Sequence, residues 1–493
     1  AKNFTWCVPT GEMTKKWGPL PRYNFDGDNF NLWQYVKYHS NWSNGWWRVP
    51  GAFNDVAHKN GVQTGCTYFI DWGASVGPYT EAGKPLYELS MKSGANFLYA
   101  EKLVDFLHYY GIDGLTFNPE GTWGATLATQ FKAFLAECHR IAKQKGYTFR
   151  VDWYAFVLNT GRLSDNSSKL DANNDEWFHN AATNQPVTDM YFLNYNWREA
   201  GLQASVETAQ KHGRSSFDVY AGFDQQASGY GANGTNAGWA TLMKYPVSIV
   251  VWGAHDRSQL YISSTEGGQS DYAVQNEYQK KQEMLFSGGN RNVLALPALK
   301  NDQTTASFAD LQKWHGYATA VQERSTLNET PFVTRFNLGN GAFMNNEGQT
   351  TWAHKWYNIG MQDLLPTWRW WIDNGDGRTV PAQALQADFT YDDAWFGGSC
   401  LKLHGATDRS DLRLFATQWK VESADDVFRM VYKVNSGTQT HLELMVAKAG
   451  EQGAAPVFVK KAIADGTQGQ WATATFKASD FGLAAGDVIG TVG

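Results

Sequence analysis

Short apolar stretches alternate with amphipathic helical patterns along roughly the first 300 residues of the chain. Seven of these stretches are rich in β-branched and aromatic residues and are too short for buried helices, which predicts strands. The predicted strands cover residues 32–40, 61–71, 112–118, 147–156, 187–197, 217–224 and 246–254. Apolar residues at 3.6-residue spacing predict helices between them, and three of these helices are expected to end at Gly111, Gly146 and Gly213.

The alternation of strands and helices predicts a (β/α)8 TIM barrel rather than a doubly wound sheet. No glycine-rich phosphate-binding fingerprint follows the first predicted strand, which weakens a nucleotide-binding alternative. From about residue 320 the chain changes to strands broken by Gly, Asn and Asp turns, which is typical of a β-sandwich. We therefore expect a catalytic barrel over residues 1–320 and a β-sandwich accessory region, similar to carbohydrate-binding domains, over 321–493. The chain stops inside this strand-rich pattern, so the sequence leaves open whether the natural protein is longer.

Charge and composition argue against several classes of partner. The formal net charge is −6 and Lys and Arg form no dense block, so nucleic acid and anionic membrane surfaces are not expected partners. The sequence contains no run of 18 or more apolar residues, so a transmembrane helix is not predicted. The four cysteines are far apart and match no zinc or redox spacing, so we expect no metal site and no cofactor. The 22 Trp, 23 Tyr and 28 Phe suit the apolar faces of sugar rings, although large cores use aromatic residues too.

The stretch "IDGLTFNPEG" places polar side chains at the end of a predicted strand. In a barrel the active site lies at the C-terminal ends of the strands. Because side chains alternate along a strand, Thr116, Asn118 and Glu120 are predicted to project to one side. Pro119 favours an extended conformation at Asn118. A purely structural explanation stays open, since Asn-Pro is a common turn opener and Glu120 also suits the start of the helix that follows.

An amide beside a carboxyl group indicates a particular kind of glycoside hydrolysis. Most glycosidases use two carboxyl groups, but Asn118 can be neither a base nor a nucleophile. In substrate-assisted enzymes the 2-acetamido oxygen of the sugar attacks the anomeric carbon instead. That mechanism needs a general acid/base, which Glu120 would supply, and a group that holds the acetamide, which Asn118 would supply. The spacing from Asp113 to Glu120 also parallels the D-x-x-D-x-D-x-E pattern of family 18 chitinases, with Thr116 and Asn118 in place of its second and third aspartates.

Eight segments, taken together and in order, carry a family resemblance: "WQYVKYHSNWSNGW", "AHKNGVQTGCTYF", "YGIDGLTFNPEGT", "DWY", "DMYFLNYNW", "VYAGFDQQASGYG", "PFVTRFNLGNG" and "LLPTWRWW". With these segments the chain resembles the endo-β-N-acetylglucosaminidases of glycoside hydrolase family 85 over most of its length. The resemblance implies a retaining, substrate-assisted endoglycosidase acting on N-glycans of glycoproteins. Such an enzyme cleaves the β-1,4 bond of the N,N′-diacetylchitobiose core and leaves one GlcNAc on the protein. The resemblance also implies that the glycan can be transferred to an acceptor other than water.

The resemblance assigns roles to three residues. Glu120 matches the general acid/base of the family, and Asn118 matches its acetamide-orienting asparagine. Tyr154, in "VDWYAF", matches a tyrosine that the family places against the reacting acetamide, although a core tyrosine at a strand end is the alternative. Thr116 and Pro119 depart from the more apolar strand that is usual in the family. These departures leave the glycan and acceptor preference open.

Further residues at predicted strand ends are candidates for binding the substrate. We expect Asn194 and Trp197, in "FLNYNW", to contact the sugar. Asp224 and Gln226, in "FDQQ", are expected to hydrogen-bond sugar hydroxyls, with capping of a loop as the alternative. Trp252 is expected to stack beneath a sugar, and the alternative is that it plugs the top of the barrel.

The sequence leaves two alternative functions open and also suggests where the protein is located. A chitinase-like enzyme or another N-acetylhexosaminidase with the same substrate assistance is the competing enzyme class. A glycan-binding protein built on an inactive barrel is the non-enzyme alternative, and the intact pair of Asn118 and Glu120 argues against it. The N-terminus shows no apolar signal-peptide core, and we expect a processed protein that is secreted, or at the surface or in the periplasm of a bacterium, rather than cytoplasmic.

Overall fold

A closed barrel of eight parallel strands forms the N-terminal part of the molecule, with neighbouring strands following one another in chain order. The computed structural model describes residues 1–8, 29–41, 49–164, 168–225, 236–253, 271–301, 311–373, 385–405 and 409–493. The barrel strands are β1 (Phe4–Val8), β2 (Tyr38–Asn41), β3 (Gln63–Ile70), β4 (Gly114–Pro119), β5 (Arg150–Tyr154), β6 (Met190–Leu193), β7 (Val219–Asp224) and β8 (Ser248–Trp252). The predicted barrel is confirmed, and each of the seven predicted stretches overlaps one of its strands.

The eighth strand, β1, was not predicted from the sequence. It is only five residues long and begins three residues from the start of the chain, so it offers too short a pattern to recognise. It pairs in parallel with both β8 and β2, and it therefore closes the ring. The first predicted strand, 32–40, also began too early, because Trp33–Tyr35 form a 3₁₀ turn and the strand starts only at Tyr38.

The structure contains the three helices predicted from the spacing, which end one or two residues before Gly111, Gly146 and Gly213, and four further helices within the described residues. They are α1 (Gly51–Lys59), α2 (Lys84–Leu89), α3 (Ala100–Tyr109), α4 (Ala125–Lys145), α5 (Glu199–Lys211), α6 (Trp239–Leu242) and α7 (Asp271–Ser287). The helix expected to stop at Gly146 is α4, and Gly146 takes a left-handed φ of 69° there, which glycine adopts without strain. No helix within the described ranges is long and apolar enough to cross a bilayer.

The residues of β4 alternate between two environments. Leu115 and Phe117 face the helices, and the ring of Phe117 meets Phe131 of α4 at a centroid distance of 5.5 Å. Thr116 lies inside the barrel, where its hydroxyl is 3.1 Å from the Tyr38 hydroxyl and accepts a hydrogen bond from the Ser40 hydroxyl, also at 3.1 Å. Inside the barrel, directly below the strand ends, these hydroxyl groups form a hydrogen-bonded polar layer. This layer holds the end of β4 in a fixed position.

The C-terminal part is rich in antiparallel sheet, as predicted. Its main strands are β9 (Trp371–Asp373), β10 (Leu385–Thr390), β11 (Cys400–Gly405), β12 (Asp411–Arg413), β13 (Phe415–Lys420), β14 (Val427–Lys433), β15 (Glu443–Lys448), β16 (Phe458–Ala462), β17 (Trp471–Lys477) and β18 (Val488–Val492). A four-stranded sheet, β13-β18-β15-β16, packs against the pair β14-β17. Trp419, Val446 and Ile489 from the larger sheet share one apolar cluster with Phe428 and Phe476 from the pair.

Buried polar contacts attach this C-terminal part to the barrel. The fully buried Gln362 accepts a hydrogen bond from Trp33 Nε1 at 2.7 Å and donates to the Phe30 carbonyl at 3.1 Å. Arg369, also fully buried, donates to the Asn31 side-chain oxygen at 3.0 Å and to the Asn31 carbonyl at 2.9 Å. These buried hydrogen bonds hold the C-terminal part in one fixed position against the barrel.

Candidate active site

The C-terminal end of β4 brings an amide and a carboxyl group together. Asn118 is 7% exposed and hydrogen-bonds through its side chain to the carboxyl of Glu120, one residue beyond the strand. Its side-chain oxygen is buried and has no hydrogen-bond partner among the described residues. A buried acceptor without a partner is unfavourable by about 1–3 kcal/mol. This atom is therefore ready to accept a hydrogen bond from a ligand.

The surroundings of Glu120 favour its protonated form. Partial burial raises the pKa of the Glu120 carboxyl, the hydrogen bond from Asn118 lowers it, and the negative charge of Asp71 raises it, with a net rise. A half-buried carboxyl group with a raised pKa can donate a proton near neutral pH and take one back later. Glu120 therefore has the properties of a general acid/base.

Tyr154 stands at the end of the next strand, β5, and is held rigidly. Its ring, 8% exposed, packs against Phe156 and Phe192, each with a centroid distance of 4.6 Å. Its hydroxyl donates to the Asn194 side-chain oxygen at 2.7 Å. Burial and the negative charges of Glu120 and Asp224 hold the pKa of Tyr154 well above its usual value. Tyr154 is therefore a neutral phenol in the neighbourhood of Glu120 and Asp224.

Asn194 and Asp224 extend this group around the rim. The Asn194 side-chain oxygen accepts from the Tyr195 backbone N–H, at 2.7 Å, as well as from Tyr154. Asp224 ends β7, and its charge raises the pKa of both Tyr154 and Tyr195. Both residues are half-buried. The structure therefore brings Asn118, Glu120 and these two predicted sugar-binding residues around one tyrosine.

Trp252 lies at the end of β8 and is half-buried. It packs against an apolar cluster that contains Tyr154, Phe192 and Tyr220. It therefore faces the strand ends that carry Tyr154, and its partial exposure leaves ring surface for a sugar.

The expectation for Trp197 is wrong. Trp197 is 0% exposed and belongs to the core between barrel and helices, where its ring meets Phe223 at a centroid distance of 5.6 Å. Its Nε1 donates to the Gly222 carbonyl at 2.9 Å. A side chain without exposed surface cannot stack on a sugar, so Trp197 has a structural role. The other predicted contact in this part of the chain, Gln226, lies outside the described residues.

Asp71 and Trp72, directly after β3, were not predicted as site residues. Trp72 is 64% exposed, and its ring meets Phe156 edge-on at 5.4 Å and 88°. Gly73 then donates its N–H to the Glu120 carbonyl at 2.8 Å. The signal that could have found them is the one used for Asn118, namely polar and aromatic residues at the C-terminal end of a barrel strand. It was obscured because the predicted strand 61–71 included Asp71.

A short backbone ladder fixes the segment around Glu120. Beyond the barrel rim, Ser75 pairs with Thr122 and Val76 with Trp123 in parallel. Gly121 lies directly before this ladder, and a Cβ on it would be 2.7 Å from the Ala74 carbonyl oxygen. Only glycine allows the two backbones to approach so closely here.

Replacing Gly121 with alanine is therefore expected to displace Glu120. We expect a loss of about 1–3 kcal/mol in unfolding free energy, since the Cβ meets backbone that cannot rotate away. Moving the Glu120 carboxyl by about 1 Å is expected to lower kcat/KM by about 10²-fold. Thermal unfolding and steady-state kinetics check both. Gly124→Ala is the matched control, because a Cβ there would meet its nearest neighbour, the Val76 carbonyl, only at 3.9 Å. Equal behaviour of the two variants would contradict this role of Gly121.

The family model of glycosyl hydrolase family 85 matches residues 14–344, more than half of the chain. The chain belongs to glycosyl hydrolase family 85. Among the solved structures, the family 85 fold seen here is similar to the glycoside hydrolase domain of Endo-D from Streptococcus pneumoniae R6. The TM-score is 0.77 and the identity 23%, over 100% of this chain and 72% of that chain.

Curated relatives of this family 85 chain include two cytosolic endo-beta-N-acetylglucosaminidases. The Danio rerio protein is 24% identical over 423 residues, which is 84% of this chain and 50% of that protein. The Homo sapiens protein is 25% identical over 409 residues, which is 81% of this chain and 47% of that protein. The chain thus spans about half the length of the curated relatives it matches. Because these relatives are named cytosolic, the expectation of a secreted, cell-surface or periplasmic location is wrong.

Proposed function

We propose that this protein hydrolyses the β-1,4 bond of the N,N′-diacetylchitobiose core of N-glycans and leaves one GlcNAc on the protein. The observation that carries this proposal is the buried side-chain oxygen of Asn118, which has no hydrogen-bond partner within the described ranges and lies next to the carboxyl group of Glu120. An acceptor at that position suits the N–H of a 2-acetamido group. Hydrolysis therefore proceeds with the assistance of the substrate, and two protein carboxylates are not needed.

In the first step the acetamide oxygen attacks the anomeric carbon while the glycosidic bond breaks. Glu120 gives its proton to the departing oxygen of the reducing-end GlcNAc. Asn118 accepts the acetamide N–H, which becomes more acidic as positive charge develops, so this hydrogen bond strengthens towards the transition state. Tyr154 lines the site with its neutral phenol ring, which Phe156 and Phe192 hold in place. The product of this step is an oxazolinium ion on the glycan.

In the second step water attacks the anomeric carbon and opens the oxazolinium ring. Glu120, now a carboxylate, takes the proton from that water and returns to its starting state. Two inversions at the same carbon leave the β-configuration unchanged. If the hydroxyl group of an acceptor sugar replaces water, the same step transfers the glycan.

Two aromatic rings at the rim provide sugar-binding surface. Trp72 exposes most of its ring directly beside the segment that carries Glu120, and Trp252 exposes part of its ring at the end of β8. Asn194 and Asp224 supply polar groups between them for sugar hydroxyls. Aromatic faces with a few polar groups are the usual composition of a sugar site.

Replacing Trp72 with alanine is expected to raise KM for an N-glycopeptide by about 5–10-fold, the loss of one ring contact worth about 1 kcal/mol. The melting temperature should hardly change, because the ring is 64% exposed. Steady-state kinetics and thermal unfolding check the two expectations. Tyr109→Ala is the control, since Tyr109 is 81% exposed but lies at the end of α3 that leads into the start of β4, at the other end of the barrel. An unchanged KM in Trp72→Ala would remove Trp72 from the site.

The test of the proposed reaction is mass spectrometry of a high-mannose N-glycopeptide incubated with the protein. A peptide that keeps one GlcNAc is the expected product. Parallel incubations with trimmed N-glycopeptides and chitin oligomers identify the preferred substrate. Cleavage of chitin oligomers alone would replace the proposal with a chitinase-like activity, and binding without cleavage of any of them would indicate an inactive, glycan-binding barrel.

For the C-terminal part, residues 321–493, we propose that its primary role is to brace the barrel. The buried contacts of Gln362 and Arg369 with the segment before β2 support this role. Fully satisfied polar groups at such an interface hold two parts in one fixed arrangement.

A further inference from the structure

The ends of β3 and β4 place a second carboxyl group beside Glu120. The two strands pair in parallel up to their last residues, with Phe69 opposite Asn118 and Ile70 opposite Pro119. Asp71 directly follows Ile70, as Glu120 directly follows Pro119. Beyond these residues the two segments that follow the strands stay in contact, because the Gly73 N–H donates a hydrogen bond of 2.8 Å to the Glu120 carbonyl.

We propose that Asp71 acts through Glu120: its negative charge keeps the Glu120 carboxyl protonated until the departing sugar oxygen takes the proton. The inference rests on the proposed function of Glu120 as the acid. Neighbouring strands lie about 4.8 Å apart, and residues in register point to the same face. Asp71 is exposed, whereas Glu120 is half-buried. Water therefore stabilises the anion of Glu120 less than it stabilises the anion of Asp71.

Three further groups from neighbouring strands face the region around Glu120. From β5 the neutral phenol of Tyr154 faces this region, and from the end of β6 that of Tyr195. Asp224 adds a second carboxylate from β7, and its charge acts on these two tyrosines. On Glu120 itself, burial raises the pKa, the Asn118 hydrogen bond lowers it and Asp71 raises it.

A direct role for Asp71 as a second reacting carboxylate does not fit this placement. Two glycosidase carboxyl groups act from opposite sides of a sugar, about 5–5.5 Å apart in retaining enzymes and about 6.5–9.5 Å apart in inverting ones. Asp71 and Glu120 follow adjacent paired residues and so stand on the same side of any sugar at the rim. An electrostatic role is the one that this side-by-side arrangement supports.

The test is the pH dependence of kcat/KM for an N-glycopeptide in Asp71→Asn, which removes the charge and keeps the shape. Glu120 must be protonated for the first step, and removing a neighbouring negative charge lowers its pKa. The alkaline limb is therefore expected to move to lower pH by about half to one unit. Rates on the acid side should be unchanged. Asp71→Glu, which keeps the charge, should leave the limb near its wild-type position, and so should Glu88→Gln, an exposed carboxylate on α2.

Two results would overturn the proposal. An unmoved alkaline limb together with a raised KM in Asp71→Asn would make Asp71 a sugar-binding residue. Loss of activity at every pH, in both Asp71→Asn and Asp71→Glu, would make it a reacting group. If the wild-type protein cleaves no N-glycopeptide, the proposed function fails instead. The effect of Asp71 on Glu120 can then still be tested without turnover, by following the carboxyl carbon of Glu120 in NMR titrations of the wild type and of Asp71→Asn. An identical titration of Glu120 in the two proteins refutes the proposal.

Discussion

Glu120→Gln is expected to lower the hydrolysis of an N-glycopeptide by about 10³-fold or more, the largest effect expected of any single substitution here. Glutamine has the same shape but can neither protonate the departing oxygen nor take a proton from water. Both chemical steps therefore lose their proton transfer. Mass spectrometry of the glycopeptide and of the released glycan measures the loss.

A preformed sugar oxazoline separates the two steps for this variant. It bypasses the first step but still needs a base to activate water, so Glu120→Gln should also hydrolyse the oxazoline slowly. Azide needs no base, and it should react with the oxazoline in this variant and give the β-azide. Glu88→Gln, on the surface of α2, serves as the matched control and should behave as wild type. Near-full hydrolysis by Glu120→Gln would exclude Glu120 as the acid/base.

Much of this site is predictable from the sequence because one rule covers it. Polar residues directly after a buried strand must lie at the rim of a parallel barrel, and this rule places Asn118 and Glu120 correctly without knowledge of the other strands. The same alternation along β4 places Thr116 inside the barrel, as its hydrogen bonds with Tyr38 and Ser40 confirm. Local pattern is sufficient where the direction of a side chain follows from the strand itself.

Other features depend on packing that the local pattern does not contain. "NYNW" looks the same whether its tryptophan faces solvent or the core, and only the contact of Trp197 with Phe223 and Gly222 decides for the core. Asp71 and Glu120 are 49 residues apart in the sequence, and only the register of β3 against β4 makes them neighbours. Pairing between distant segments is the kind of information that a single sequence lacks.

Asn118→Ala is the second substitution with a large expected effect, and this effect should depend on the substrate. On an N-glycopeptide we expect a loss of about 10²–10³-fold, since the acetamide is no longer held for attack and the N–H of the oxazolinium loses its acceptor. On a preformed oxazoline the loss should be about tenfold or less, because the ring has already closed. Equal losses on the two substrates would contradict the orienting role. Thermal unfolding should change little, because losing the hydrogen bond to Glu120 is offset by removing a buried oxygen that has no partner within the described residues.

The pH profile of Asn118→Ala provides an independent check, because its direction is opposite to that of Asp71→Asn. The hydrogen bond from Asn118 lowers the pKa of Glu120, whereas the charge of Asp71 raises it. Removing Asn118 should therefore move the alkaline limb of the residual activity to higher pH, while removing the charge of Asp71 should move it to lower pH. Opposite shifts from two neighbours of one carboxyl group can arise only if that group carries the proton, so this pair of profiles identifies Glu120 as the acid independently of its own replacement. Shifts in the same direction would mean that another group limits the reaction at alkaline pH.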